Sequence, residues 1–385
     1  MLYYFGFRIY CLLMNKSLLA GATLVGTIIG AGVFAIPYVF SQSGILPCLI
    51  YFLILGPVLI LLHLFFGEII LRTNEEQRLV GYTQKYLGRK ARFLVALSIF
   101  VGILGSLLVY LILAGDFLGL VLPDYFSPAQ YSILLWGLLT FLVFLGTRSV
   151  ALVELIMAAA FLFVVSIILL FCLPHFHLAN LVSVNLHRIF LPFGIFFFSL
   201  VGWSAIGETE DILTDKKKLK TVIIGSLSFC VLFYFLFGLI ISGVSGSGTT
   251  AEALKGLVPI LGSKVMIFGA LFGILVVATS FLTIANYLKN TFIFDYKMPY
   301  WLAFGLACFA PLLLFLLGLR DFIAIISVLG SVIGVIEGSA LVLIYNKSRR
   351  LGNRQPEYSL KIPLFLLYLI IFVLLAGAIA QIFYS

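Results

Sequence analysis

Charge is scarce in this chain of 385 residues: Asp, Glu, Lys and Arg together make up 10%, against 63% hydrophobic residues. A soluble globule needs a polar surface, so this composition excludes that class and points to a polytopic membrane protein. Long polar segments are missing too. The longest stretch between apolar runs is residues 72–92, which leaves no room for an attached soluble domain. Cys11, Cys48, Cys172, Cys230 and Cys308 lie in or beside apolar runs, with no CxxC pair and no metal-ligand spacing to histidine. No carboxylate pair, Ser/His/Asp set or phosphate-binding loop falls on a water-facing segment, so an enzyme is not expected. The first thirteen residues, MLYYFGFRIYCLL, make neither a complete span nor a signal peptide with a cleavage site, and Met14 offers an alternative start to Met1.

What is abundant is apolar sequence in blocks of about 20 residues, the length that crosses a bilayer as a helix. Eleven spans are predicted: Leu18 to Phe40, Ile45 to Leu71, Phe93 to Leu122, Tyr131 to Leu145, Val150 to Leu173, Ile189 to Gly207, Val222 to Val244, Val265 to Leu288, Tyr300 to Leu317, Phe322 to Tyr345 and Ile362 to Tyr384. The expected fold class is all-α.

Basic residues accumulate in the short cytoplasmic loops of membrane proteins. With the N-terminus inside, 20 of the 24 Lys and Arg fall on the cytoplasmic side, and only Arg188, Lys255, Lys264 and Arg320 fall outside. A missed or invented span would scramble that alternation, so the asymmetry supports an odd number of spans and an outside C-terminus. The net charge of +9 reads as an inner face lying on anionic lipid. No nucleic acid partner is expected.

Two spans are interrupted. GTIIGAGVFAIP, residues 26–37, sets Gly26, Gly30, Gly32 and Pro37 inside the first span, and Gly202 and Gly207 break the sixth. Glycine weakens a helix and proline removes a donor, so the freed backbone groups must face protein, water or a ligand rather than lipid. Paired interruptions in corresponding halves point to a transporter's substrate site. A weak repeat agrees: Gly146 and Arg148 match Gly318 and Arg320 at an offset of 172, which also carries Gly30 onto Gly202. The first span starts inside and the sixth outside, so the halves, 18–173 and 189–345, are inverted five-helix repeats. Residues 1–17 form a cytoplasmic N-terminus and 362–384 an extra helix.

GTIIGAGVFAIPYVF, GEIILRT at Gly67 to Thr73, and PFGIFFFSLVGWSAIGETEDIL at Pro192 to Leu213 resemble the amino acid permeases of the amino acid/polyamine/organocation superfamily. The resemblance is closest to the amino acid/auxin and the hydroxy and aromatic amino acid permeases. It implies a LeuT-type fold, itself the standard example of inverted repeats with broken helices.

That resemblance and the physics of helix ends suggest a site. A substrate carboxylate needs N–H groups at the start of a half-helix, for which Gly30, Ala31 and Gly32 are candidates. An ammonium needs carbonyls at a half-helix end, for which Phe197, Phe198 and Leu200 are candidates. Trp203, beside Gly202, is placed to cover the substrate side chain. The alternatives are close helix packing for Gly26 and Gly30, a small-xxx-small pair, and a core role for Trp203.

In sodium-driven relatives of this kind an ion lies between the first and eighth spans. The matching positions are Thr279 and Ser280, with the carbonyls of Gly26 and Ile29. The alternative is that the hydroxyls bond back to their own helix. Some proton-driven relatives use a lysine of the fifth span, which has none here. His63 and Glu337, well inside their spans, are the proton-carrying or gating candidates, whereas Glu68, Asp116, Glu154 and Glu208 lie nearer helix ends.

The expectation is a secondary active transporter importing a neutral amino acid, aromatic or branched, by H⁺ or Na⁺ symport and alternating access. No other cofactor or metal is expected. The membrane is expected to be a prokaryotic cytoplasmic membrane. Another small substrate (nucleobase, amine or ion) on the same fold, and a membrane sensor without transport, are the competing readings.

Overall fold

The computed structural model describes residues 15–122, 125–145, 150–181, 184–294 and 296–384, with the side chains of 150–159, 161, 294 and 384 left out. All eleven expected spans are helical. The first is split into α1, Lys16–Ile28, and α2, Gly32–Ser43. There follow α3, Ile45–Leu71; a short α4, Leu79–Leu87; α5, Arg89–Val121; α6, Pro128–Leu145; and α7, Val150–Cys172. The sixth span is α8, Pro192–Leu200, then a 3-10 turn and α9, Ile206–Ile212. The rest are α10, Leu219–Ser245; α11, Ser263–Phe294; α12, Tyr300–Leu316; α13, Phe322–Ile333; α14, Ser339–Leu351; and α15, Leu364–Tyr384. Among the described residues, seven helices are long and apolar enough to cross a membrane, and the α1/α2 pair, bent by 59°, makes an eighth. The others fall short because α12 has 17 residues, α7 is described in full only in part, and the sixth span is broken into short halves.

The first break is narrower than the sequence suggested. Only Ile29, Gly30 and Ala31 are non-helical, while Pro37 sits inside α2. Its missing N–H falls in the second turn of a helix that restarts at Gly32, where only the carbonyl of Val33 loses a partner. A second difference is in the tenth span. It is expected as one helix, yet a π-helical turn, Gly334–Gly338, joins α13 to α14. Such a turn adds a residue to the helix and re-aims the side chains around it.

The scaffold is built on close crossings. α8 lies on α13, α2 on α10 and α8, and α5 on α11, α6 and α13. A Cβ at Gly330 would stand 2.6 Å from the carbonyl carbon of Gly194, so only glycine lets α8 and α13 approach this far. The eleventh span seals that crossing, because Gln381 Oε1 accepts from the Gly194 N–H at 2.8 Å and the Ser331 hydroxyl at 2.7 Å.

On the face bearing Arg72, Arg78 and Lys85, hereafter the basic face, residues 352–360 clamp the end of α3. Glu68 pairs with Arg72 at 2.7 Å and accepts from the Leu360 N–H at 2.7 Å, while the Tyr358 hydroxyl donates to the Leu64 carbonyl. Glu68 is therefore a structural ion-pair residue. Nearby, Lys85 hydrogen-bonds Glu75 and holds its exposed carboxyl below the usual carboxylate range.

Candidate functional site

The two breaks meet directly, since a Cβ on Gly202 would stand 2.3 Å from Ile28 Cγ1 at the end of α1. At the first, α1 ends at Ile28, whose carbonyl would be an orphan of the terminated helix. The Tyr234 hydroxyl of α10 donates to it at 2.9 Å. A Cβ on Gly30 would meet nothing nearer than the Tyr110 hydroxyl at 3.9 Å, so this glycine borders a gap. Gly32 differs: its Cβ would stand 2.8 Å from Ser199 Cα, against the α8 backbone. Of the two glycines proposed to meet a carboxylate, one adjoins space and the other is packed against a helix.

At the second break, Val201 is extended and Gly202 lies at φ −158°, ψ 12°. The freed Gly202 N–H donates to His63 Nε2 at 3.0 Å, and His63 Nδ1 contacts the Leu59 carbonyl at 2.7 Å. A carbonyl only accepts, so Nδ1 carries the hydrogen and Nε2 is the acceptor. His63 is thus neutral and fastened at both nitrogens.

One residue on, the Trp203 indole N–H donates to Glu337 Oε2 at 3.0 Å, and the Ser98 hydroxyl donates to Glu337 Oε1 at 2.9 Å. The π turn sets Glu337 at this junction. The Trp203 ring lies 5.5 Å from the His63 ring and 6.1 Å from that of Phe197. His63 and Glu337, the proton-carrying or gating candidates, both converge on the broken sixth span. Phe197 and Leu200 are buried and Phe198 is half-buried.

The hydroxyl of Thr279 donates to the carbonyls of Leu275 and Val276, each at 3.0 Å, both in its own helix. Ser280 is half-buried beside it. α11 packs on α5, α7, α12 and α6, whereas α1, which carries Gly26, packs on α10, α9 and α7. Asp116 is half-buried in α5 and Glu208 exposed on α9. Gly146 and Arg148, and the side chain of Glu154, lie outside the described residues.

Around the breaks exposure is one-sided. Phe34 and Phe117 are buried with ring centroids 4.8 Å apart, on the side away from the basic face. Thr27, Ser204 and Glu208, on the basic side of the breaks, are exposed. Among the described residues no cluster of His, Cys, Asp and Glu could hold a metal ion.

Sequence reasoning missed Ser98, Tyr110 and Tyr234. Ser98 and Tyr110 are hydroxyls inside the long third span, where an apolar setting makes any polar side chain a candidate, but nothing in their spacing tied them to the breaks.

Residues 14–381 match the tryptophan/tyrosine permease family. The chain is 25% identical to tyrosine-specific transport system 1 of Haemophilus influenzae over 287 residues, 70% of this chain and 71% of that one. In fold it resembles three solved transporters. They are MhsT in complex with L-phenylalanine (TM-score 0.65, 15% identity, 95% of this chain and 98% of that one), a Na⁺-coupled sialic acid symporter (0.60, 14%, 97% and 90%) and Mhp1 of the nucleobase-cation-symport-1 family (0.59, 12%, 95% and 90%). The fold is the LeuT type, with inverted five-helix repeats and an eleventh helix. A family match across nearly the whole chain, on a fold shared with transporters rather than enzymes, makes this an integral membrane protein: the chain belongs to the tryptophan/tyrosine permease family of amino acid permeases.

Proposed function

We propose that this permease imports a neutral amino acid with an aromatic or branched side chain, in symport with a proton, by alternating access. The observation that carries the reading is the pair of breaks, with an open Gly30 at one and a buried polar network at the other. The amino acid class is supported by the family, by the tyrosine transporter among its relatives, and by a structural neighbour solved with L-phenylalanine. Neither break carries a charge between residues 29 and 31 or 201 and 205, which suits a zwitterion without a charged side chain. The finer likeness to hydroxy and aromatic amino acid permeases belongs to the same proposal.

Within the gap, the substrate carboxylate meets the backbone from Gly30 to Gly32 at the N-terminal end of α2, where the helix dipole is positive. The ammonium meets carbonyls at the end of α8, from Phe197 to Leu200. Proton coupling is preferred to sodium because the Thr279 hydroxyl is committed to its own helix and α11 packs chiefly away from α1. The buried Glu337 at the sixth-span break favours the same choice. One proton entering gains about 2.3 kcal/mol per 100 mV of membrane potential, enough for roughly 50-fold accumulation.

The basic face lies on the cytoplasm and its anionic lipid, with the N-terminus inside and the C-terminus outside. On that orientation the Phe34/Phe117 contact closes the outer side, and the exposed Thr27, Ser204 and Glu208 line an inward path. Uptake of labelled tyrosine, phenylalanine, tryptophan and leucine into proteoliposomes tests the reading. Accumulation of at least one of them under an inward proton gradient is expected. Uptake that needs sodium instead would point to the Thr279/Ser280 site, and no amino acid uptake at all would defeat the proposal.

A further inference from the structure

Resting on the proton-symport reading above, we propose that Glu337 is the group that loads the coupling proton, and that the proton lodges on Oε1, the oxygen facing Ser98.

The argument begins with donors that can and cannot reverse. An indole N–H only donates, so Trp203 holds Glu337 Oε2 as an acceptor in either protonation state. A hydroxyl donates or accepts. Ser98, which donates to Oε1 at 2.9 Å, can rotate and accept instead. Adding a proton to Oε1 therefore turns Ser98–O–H···O⁻ into O–H···O–Ser98 and leaves the Trp203 bond in place. Charge increases by one, and no hydrogen bond is lost.

His63, the nearest titratable side chain identified at this junction, lacks that freedom. Its Nδ1–H is spent on the Leu59 carbonyl and its Nε2 accepts from the Gly202 N–H. A proton arriving at Nε2 would set two N–H groups against each other and break the hydrogen bond that ties the histidine to Gly202 of the broken span. His63 is a positioning residue for Gly202.

The surroundings of Glu337 fit a loading site. The carboxylate is buried, 4% exposed, and takes part in no salt bridge identified among the described residues. α5 faces it with Ser98, and the broken span with Trp203. Where α8, α3 and α15 close on the π turn they bring Phe197, Leu62 and Leu374, none of them titratable. A buried carboxylate with two donors and no countercharge is costly as an anion and invites a proton. The Trp203 bond is kept but loses its charge assistance when Glu337 is protonated, and Trp203 begins the 3-10 turn that follows the break, so the change reaches the broken span.

The test uses proteoliposomes holding the full chain, reading two quantities with the amino acid that wild type transports best. These are counterflow exchange without any gradient, and accumulation driven by an imposed pH gradient. Glu337→Gln should lose at least tenfold more of the gradient-driven accumulation than of the exchange. Ser98→Ala removes one hydrogen bond from each protonation state, but the bond to the anion is charge-assisted and the stronger of the two, so the midpoint of the pH profile should move toward alkaline pH by about one unit, a tenfold change in proton affinity. His63→Gln should keep the wild-type midpoint. Accumulation by Glu337→Gln at the wild-type level, or a midpoint that follows His63 rather than Ser98, would overturn the assignment. Should Glu337→Gln neither exchange nor accumulate, an unmoved Ser98→Ala profile overturns it and a moved one supports it. Failure of the wild type to accumulate under a pH gradient would strike the symport reading instead.

Discussion

Gly30 and Gly32 are two residues apart and have the same side chain, yet they carry different physics. The space beside Gly30 reaches to the Tyr110 hydroxyl, whereas Gly32 is pressed on the α8 backbone at Ser199. Gly30→Leu is therefore expected to insert and fold normally but to lose amino acid binding, because its branches fill the gap. Gly32→Leu is expected to lower the amount of folded protein, since a backbone contact cannot give way as a flexible side chain can. Fluorescence size-exclusion profiles beside a binding measurement separate the two, and normal binding by folded Gly30→Leu would remove Gly30 from the site. From sequence the two glycines were interchangeable. What tells them apart is the helix lying against each, a tertiary fact that no local pattern carries. Tyr234 was hidden for the same reason, as its Ile28 partner is 206 positions away.

Element by element, more could be read in advance. All eleven spans and both breaks follow from hydrophobic length and from glycine placement, since lipid tolerates interruption only where other groups satisfy the backbone. The π turn at Gly334–Gly338 left no such signal. GVIEG is compatible with a plain helix, and the contacts of Glu337 with Ser98 and Trp203 that accompany the turn lie far off in sequence. The eleventh span, expected only as an addition, proves to be bonded to the core through Gln381. Gln381→Leu leaves the Gly194 N–H and the Ser331 hydroxyl without this acceptor, and a buried group left unpaired costs about 1–3 kcal/mol. A lowered unfolding temperature in detergent is the expected result, and an unchanged one would mean that α15 is only loosely held. At the α3 end, Arg72→Ala removes the partner of the buried Glu68 and should free residues 352–360 to faster hydrogen exchange.

At the scale of the whole molecule, the distribution of Lys and Arg carries the expected orientation, and the packing carries the proposed state. A basic face carrying most of the cations is expected on the cytoplasmic side, so a reporter fused after Ser385 should be accessible from outside; one sealed inside would reverse the reading of which side is open. With Phe34 and Phe117 closed on one side and Thr27, Ser204 and Glu208 exposed on the other, the site proposed between the breaks is open toward one side only. The central claim is that this alternation moves an amino acid together with a proton. The most direct measurement imposes an inward pH gradient on sodium-free proteoliposomes with the membrane potential clamped, and follows labelled amino acid and internal pH together. Proton symport requires the amino acid to accumulate above its outside concentration while the interior acidifies in proportion to uptake. Uptake that only equilibrates, or accumulation without any acidification, would contradict it.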